Sequence, residues 1–397
     1  MRIKKVLNLS EILFLLAVVG SLLSQTPQML ESGIGRILQL LWFLPAVSLL
    51  LTNHKSFLNK SLLPFYITLF IFGGYCFLLD TFSTVSYIGA DLINICISTM
   101  ITCISFAFFR KNNNPRFTTI FSITLLITGT ILALIIYKEF LAGFDIMQKT
   151  YAYKAKNSIG QILFCSILIP ILCFKPKDLF IRFSFWGCLL VVLSIIFLLK
   201  SRATLAGVFF VIVYFIFKSK NKTIKRITIS IAVLCGFILL TNPDIYELIV
   251  DGILFAGRDA EDLNDLSSGR VELVTNILQQ IPDHIFFGLG HFYLDCMPIA
   301  FLGQYGIIGS SVVFIFLISL SIKILKLDLK DDIYLTTFLL WSVFLINALF
   351  EANPPFGPGI KCFLLWVLVG FTLAKKEKEK KNEYHNVQRN GIHSRPI

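Results

Sequence analysis

Residues 298–322 read PIAFLGQYGIIGSSVVFIFLISLSI, 25 consecutive positions without a charged side chain. A bilayer core about 30 Å thick takes about 20 apolar helical residues to cross, so this stretch is long enough to span it. Comparable apolar runs occupy roughly 7–23, 34–51, 62–79, 88–109, 117–137, 159–174, 180–199, 203–217, 227–240, 333–349 and 360–374. Hydrocarbon offers the backbone no hydrogen bonds, which leaves helices or a closed barrel, and unbroken runs lack the alternation a barrel needs. The expected fold is therefore an all-α integral membrane protein with about 12 transmembrane helices. The range is 10–12, because 203–217, 227–240 and 360–374 are short for a span. Composition agrees: with 56% hydrophobic and 15% charged residues, the chain has too little polar surface to cover a soluble core of this length. Leu7 to Leu23 is followed by Ser24, Gln25, Thr26 and Pro27 rather than by a small-x-small cleavage site, and is expected to stay as the first span.

Charge sets the orientation. When successive loops are placed on alternate sides, 26 of the 36 Lys and Arg fall on one side and 10 on the other. The basic side is expected to be cytoplasmic and to hold both termini. The net charge of +12 thus reflects topology rather than a nucleic-acid surface. The nine cysteines fall almost entirely in apolar runs and follow neither a disulfide nor a metal-site spacing. The expected organisation is an N-terminal bundle of about nine spans over 1–240, an extracytoplasmic loop over 241–297, C-terminal spans over 298–374 and a basic tail over 375–397.

The long loop is acidic and contains structure. Val271, Val274, Ile277, Leu278 and Ile281 repeat at helical spacing, Ser267 or Ser268 can cap the helix, and Pro282 ends it. Asp259, Glu261, Asp262 and Asp265 read as a solvated acidic face, so no metal and no other cofactor is expected.

Polar candidates gather at the predicted outer ends of the spans. Ser201 and Arg202 lie in a tight turn between two apolar runs, and Ser268, Gly269 and Arg270 open the loop helix. Lys156 and Asn157 precede the sixth run, His291 and Asp295 precede the tenth, and Glu351 to Gly359 links the last two. Basic residues are biased towards the inner side, so Arg on the outer face calls for an explanation. A guanidinium keeps its charge when desolvated and matches phosphate oxygens with a planar fork. Arg202 and Arg270 are thus candidates to hold a lipid diphosphate. Asp91 is costly in lipid and is expected to face the bundle interior.

Three elements together resemble the O-antigen ligase and polymerase superfamily. They are Ser201-Arg202 opening a span, Ser268-Gly269-Arg270 with its helix and Gly288-Leu289-Gly290, and Gly306-Ile307-Ile308-Gly309. Lys156-Asn157-Ser158-Ile159-Gly160 is similar to a fourth element, seen in Wzy-type polymerases. Ligases of the superfamily typically carry His-Asn eleven residues before the first Gly of the Gly-x-x-Gly element. Here Asp295-Cys296 stands in that place and the nearest histidine is His291, which favours the polymerases. Gly306 and Gly309 themselves read as sites of close helix packing.

The resemblance implies a bacterial cytoplasmic-membrane glycosyltransferase that joins undecaprenyl-diphosphate-linked repeat units into surface polysaccharide. Its partners would be the lipid-linked donor and acceptor, the bilayer and a possible chain-length regulator. Arg270, Arg202 and Lys156 would hold the diphosphate, and Asp295 or His291 would take the proton from the attacking hydroxyl. The alternatives are a ligase and a lipid-linked oligosaccharide flippase. A flippase needs charge along a transmembrane path, whereas here charge lies at span ends, Asp91 excepted.

Overall fold

The computed structural model describes residues 7–112, 114–144, 153, 155–218, 230, 241–254, 262, 264, 267, 269–352, 354–357 and 362–392. Among these residues the regular structure is entirely helical. The principal helices are α1 (Leu9–Leu23), α2 (Ile34–Ser56, with 3-10 turns), α3 (Lys60–Phe82), α4 (Ala90–Lys111) and α5 (Phe117–Leu141). Then follow α6 (Lys156–Cys173), α7 (Leu179–Leu198), α8 (Arg202–Lys218), α9 (Arg270–Gln280), α10 (Met297–Leu325), α11 (Asp332–Ala348) and α12 (Phe363–Ile392). Seven of the described helices, α2 to α7 and α10, are long and apolar enough to cross a membrane, and α1 and α11 are shorter apolar helices. The chain is a multi-pass membrane protein by this measure, and the described residues fall short of the expected twelve spans. Of the ninth apolar run, 227–240, only residue 230 is among the described residues, and Ser268, Asp259, Glu261 and Asp265 lie outside them.

Local chemistry places the helix ends. Asn8 and Glu11 form a reciprocal box at the start of α1, each side chain accepting the other's backbone N–H at 2.9 and 2.8 Å. Asp178 caps α7 through the Ile181 N–H, and Asp331 caps α11 through Ile333 and Tyr334. Helices α4 and α12 lie against each other in the interior. An added Cβ on Gly370 would sit 2.6 Å from the Thr102 carbonyl, and Phe109 stacks on Phe371 with ring centroids 3.7 Å apart. This close approach is the small-residue packing expected where lipid supplies no hydrophobic drive between helices.

Helix α10 is broken at Gly306, whose φ of 60° and ψ of −172° are not helical. The break strands backbone groups on both sides, and the segment after α9 repairs it. Leu289 and Gly290 donate to the Gly303 and Gln304 carbonyls at 2.7 and 3.1 Å. Ile307 and Ile308 donate in turn to the Ile285 and Phe286 carbonyls at 2.8 and 3.3 Å. The Tyr75 hydroxyl donates to the Tyr305 carbonyl at 2.6 Å, and the Tyr87 hydroxyl to that of Gly288 at 3.2 Å. Broken helices survive inside membrane proteins only where such partners exist. The two backbones come so close that a Cβ on Gly306 would lie 2.3 Å from Phe286, and one on Gly288 2.3 Å from Gln304. The glycine elements at 288–290 and 306–309 are therefore two halves of one backbone junction. That corrects the reading of Gly306 as a site of helix packing; Gly309, against the Tyr75 ring, does serve close packing.

Gly306→Ala is expected to destabilise the protein by about 2–5 kcal/mol, from a strained positive φ and a backbone clash together. Gly33 also has positive φ, at 73°, but has open space around it. Gly33→Ala should cost about 1 kcal/mol. Thermal unfolding of both variants in detergent checks the difference.

Candidate functional site

Five segments bring polar side chains to one end of the bundle. They are the first turn of α6, the tight turn before α8, the first turn of α9, the stretch before α10 and the loop after α11. Each is held from below. Lys200 takes a positive φ of 52° in the turn between α7 and α8, and its carbonyl accepts from the Lys156 ammonium at 3.2 Å. Arg270 opens α9 behind Gly269, which takes the N-cap position expected of Ser267 or Ser268, while the Ser267 hydroxyl accepts the Val271 N–H at 3.2 Å from one turn outside the helix. Within the apolar stripe of α9, Val274 and Ile277 are half-buried while Val271 and Leu278 stay exposed. The Glu351 carbonyl accepts the Met297 N–H at 3.1 Å, tying the loop after α11 to the start of α10. The same loop is anchored deeper by Ser98, which donates to the Phe356 carbonyl, and by Trp366, which donates to that of Pro355.

Arg270 is the hub. Its Nε and Nη2 both reach Asp295 Oδ2 at 2.8 Å, and Nη2 lies 3.8 Å from Glu351 Oε1. Asp295 Oδ1 accepts from the Tyr293 hydroxyl at 2.6 Å. Burial first, and the Asp295 carboxylate second, push the Tyr293 phenol above its usual range, which keeps it a donor. Glu351 Oε1 also accepts from Asn157 Nδ2. Asn157 Oδ1 accepts from the Ser201 hydroxyl at 2.9 Å, and Ser201 shares a 2.9 Å hydrogen bond with Thr204. A continuous chain thus runs Thr204–Ser201–Asn157–Glu351–Arg270–Asp295–Tyr293.

This chain borders a cavity of about 850 Å³. Lys156, Arg202, Arg270, Asp295 and Glu351 supply its charge, and Val271, Val274, Ile299 and Phe350 are among its apolar walls. The volume suits a ligand of substantial size, and the mixed lining suits one with an anionic head and an apolar tail. The structure therefore unites four of the five residues singled out from sequence: Arg270, Arg202, Lys156 and Asp295.

His291 does not join them. Its ring packs against Gly89, where an added Cβ would meet Nδ1 at 2.9 Å, and its N–H donates to the Ser86 carbonyl at 3.0 Å. It sits beside the start of α4 and Asp91, outside the cavity. Asp91 is buried as expected and accepts from the Tyr305 hydroxyl at 3.2 Å. Among the described residues no group of three or more His, Cys, Asp or Glu is placed to hold a metal ion.

Two participants had no assigned role in the sequence. Glu351 was visible only as the first residue of a polar break between apolar runs, and Tyr293 only by its place two residues before Asp295. Neither pattern signals that Glu351 meets Arg270, which comes from a different segment, or that Tyr293 donates to the Asp295 carboxylate Arg270 holds.

The family model described as O-antigen ligase (Wzy_C) matches residues 187–310. The match is consistent with the O-antigen ligase/polymerase superfamily. It spans Arg202, Arg270 and Asp295, whereas Lys156 and Glu351 enter the same cavity from outside it. No curated protein matches the chain.

The Arg270–Asp295 pair is testable by a double-mutant cycle. Each partner is less than a third exposed, so removing one leaves a half-buried charge uncompensated. Arg270→Ala and Asp295→Ala are expected to be coupled by about 1–3 kcal/mol, the double variant losing less than the two singles combined. Chemical denaturation of the four proteins measures the coupling.

Proposed function

We propose that the protein polymerises oligosaccharide repeat units carried on undecaprenyl diphosphate, at the outer face of the bacterial cytoplasmic membrane. The observation that carries this reading is the cavity itself. Three cationic side chains, two carboxylates and an apolar wall meet at the end of the bundle that the charge asymmetry assigns to the outside. The O-antigen ligase match over 187–310 supports the same class of chemistry.

In this reading a hydroxyl at the non-reducing end of the acceptor attacks the anomeric carbon of the donor glycan. The new C–O bond forms as the bond from that carbon to the diphosphate oxygen breaks, and undecaprenyl diphosphate departs with the bonding electrons. Arg270 meets the charge that gathers on the leaving oxygen. Asp295 holds it by Nε and Nη2, and Nη1 has no protein partner among the described residues, which leaves donors for the diphosphate. Arg202 and Lys156 add positive charge in the same cavity. The proton of the attacking hydroxyl passes to Asp295, through the Oδ1 atom that Arg270 does not hold. Glu351 and Asn157 keep Arg270 in register. The apolar wall formed by Val271, Val274 and Ile299 fits the polyprenyl chain.

A second reading, transfer of finished glycan to another acceptor, is favoured by the ligase description of the matching family. Gel electrophoresis of surface and lipid-linked glycan after gene deletion separates the two. Loss of the long ladder with single repeat units left on carrier or acceptor supports polymerisation; intact polymer stranded on the lipid carrier supports ligation. Repeat units trapped on the cytoplasmic face overturn both in favour of flipping.

In reconstituted protein supplied with lipid-linked repeat units, Arg270→Ala is expected to slow elongation by about 10²–10³-fold. Asp295→Asn should slow it by about 10²–10⁴-fold. His291→Ala, outside the cavity, should stay within about threefold of wild type, since surface changes away from a site seldom exceed ~0.5 kcal/mol.

A further inference from the structure

The opposite end of the bundle holds a second cavity, of about 250 Å³, between the last turns of α10, the first turns of α11 and the middle of α12. It lies at the far end of α10 from the site above: Ile299 lines one cavity and Ile324 the other, roughly 30–40 Å along the helix. Its rim carries Lys323, Lys376 and Lys380, and none of the three makes an ion pair or side-chain hydrogen bond among the described residues. Lysines near a bundle end commonly lie against neighbouring carboxylates, as Lys375 does with Asp331 and Lys175 with Asp332 nearby. These three converge without such partners on a concave surface.

The fourth charged residue of this cavity is Glu377. Its Oε1 faces Arg110 at 3.3 Å and Lys381 at 3.2 Å, so its charge is already balanced. Its Oε2 is buried and has no hydrogen-bond partner. A buried carboxylate oxygen without a donor is costly, and it marks a place where a ligand donor fits. The inner walls are apolar, with Leu320, Ile324 and Val369. Thr337 and Thr372 are hydrogen-bonded to each other at 2.8 Å. The cavity thus offers a net positive rim, one acceptor and an apolar interior, at the boundary where α12 passes from apolar residues to Lys375–Lys381.

We propose that this cavity binds the headgroup of an anionic glycerophospholipid, phosphatidylglycerol being the best fit. The phosphate would lie among Lys323, Lys376 and Lys380, a headgroup hydroxyl would donate to Glu377 Oε2, and an acyl chain would follow the apolar wall. The balanced charge of Glu377 leaves the rim net positive, which favours an anionic over a zwitterionic lipid. Basic pockets between helices are a general solution for such headgroups. The inference stands apart from the glycan reading, because it uses different residues at the other end of the bundle.

The test uses full-length protein in neutral detergent, titrated with phosphatidylglycerol, phosphatidylethanolamine, phosphatidylcholine or inorganic phosphate. Bound lipid is counted by native mass spectrometry, and thermal unfolding is followed in parallel. Phosphatidylglycerol is expected to bind roughly tenfold or more tightly than phosphatidylcholine. The double variant Lys376→Gln/Lys380→Gln should lose that preference, and Lys326→Gln/Lys330→Gln, which alters lysines at the same end outside the cavity, should keep it. Equal retention by both double variants overturns the site. Equal binding of phosphatidylethanolamine and phosphatidylglycerol overturns the charge argument. Stabilisation by inorganic phosphate alone, with no lipid retained, shows a phosphate site and overturns the lipid proposal.

Discussion

A helix that breaks inside an apolar bundle exposes backbone groups that lipid cannot satisfy, and the arrangement around Gly306 answers that constraint. Four backbone hydrogen bonds cross between residues 285–290 and 303–308, with Tyr75 and Tyr87 closing two more carbonyls. A lipid-buried amide or carbonyl left unpaired costs several kcal/mol, so the junction admits one register. That register fixes where the chain goes between α9 and α10. It sets the path of residues 291–296, and with it the placement of Asp295 beneath Arg270. The close approach also dictates residue type, since a side chain at 288 or 306 would strike the opposing backbone.

The candidate site inherits this rigidity. Its charged groups come from five separate segments, and each segment is pinned by backbone before its side chains meet. The Glu351 carbonyl holds the Met297 N–H, and the Lys200 carbonyl holds the Lys156 ammonium. Preorganisation of this kind is what electrostatic stabilisation of a leaving group needs, because donors already in place pay no reorganisation cost during reaction. The far end of the bundle is built differently. There lysines are numerous, several pair with Asp331, Asp332 or Glu377, and three gather on the rim of a cavity without ion-pair partners among the described residues. One end concentrates a few oriented charges, and the other presents a broad basic surface.

Much of this was legible in the sequence because it is local. Charge-free runs of span length give helices wherever the solvent is hydrocarbon, and the stripe Val271–Val274–Ile277 gives α9. Arg270 was legible as a candidate because it opens the loop helix, and Arg202, Lys156 and Asp295 because each stands near the end of an apolar run. His291 met the same criterion, yet its ring turns towards Gly89 and the start of α4. One-dimensional spacing places it one helical turn before Asp295, but residues 291–296 form no helix, so that spacing has no meaning there.

The sequence by itself determined that the protein is helical and multi-pass, where most of the described helices begin and end to within a few residues, and which charged residues lie at helix ends; α12 departs from it, continuing as helix to Ile392 through the stretch expected as a basic tail. These follow from burial and hydrogen bonding within single segments. Only the tertiary structure decided that Glu351 meets Arg270, that Tyr293 meets the carboxylate Arg270 holds, that Asn157 joins Ser201 to Glu351, and that two glycine elements form one junction. The physical reason is that these contacts join groups from segments up to 194 residues apart, such as Asn157 and Glu351, through bonds that satisfy charges and backbone groups the bilayer cannot. No property of either segment alone records which partner the other will supply.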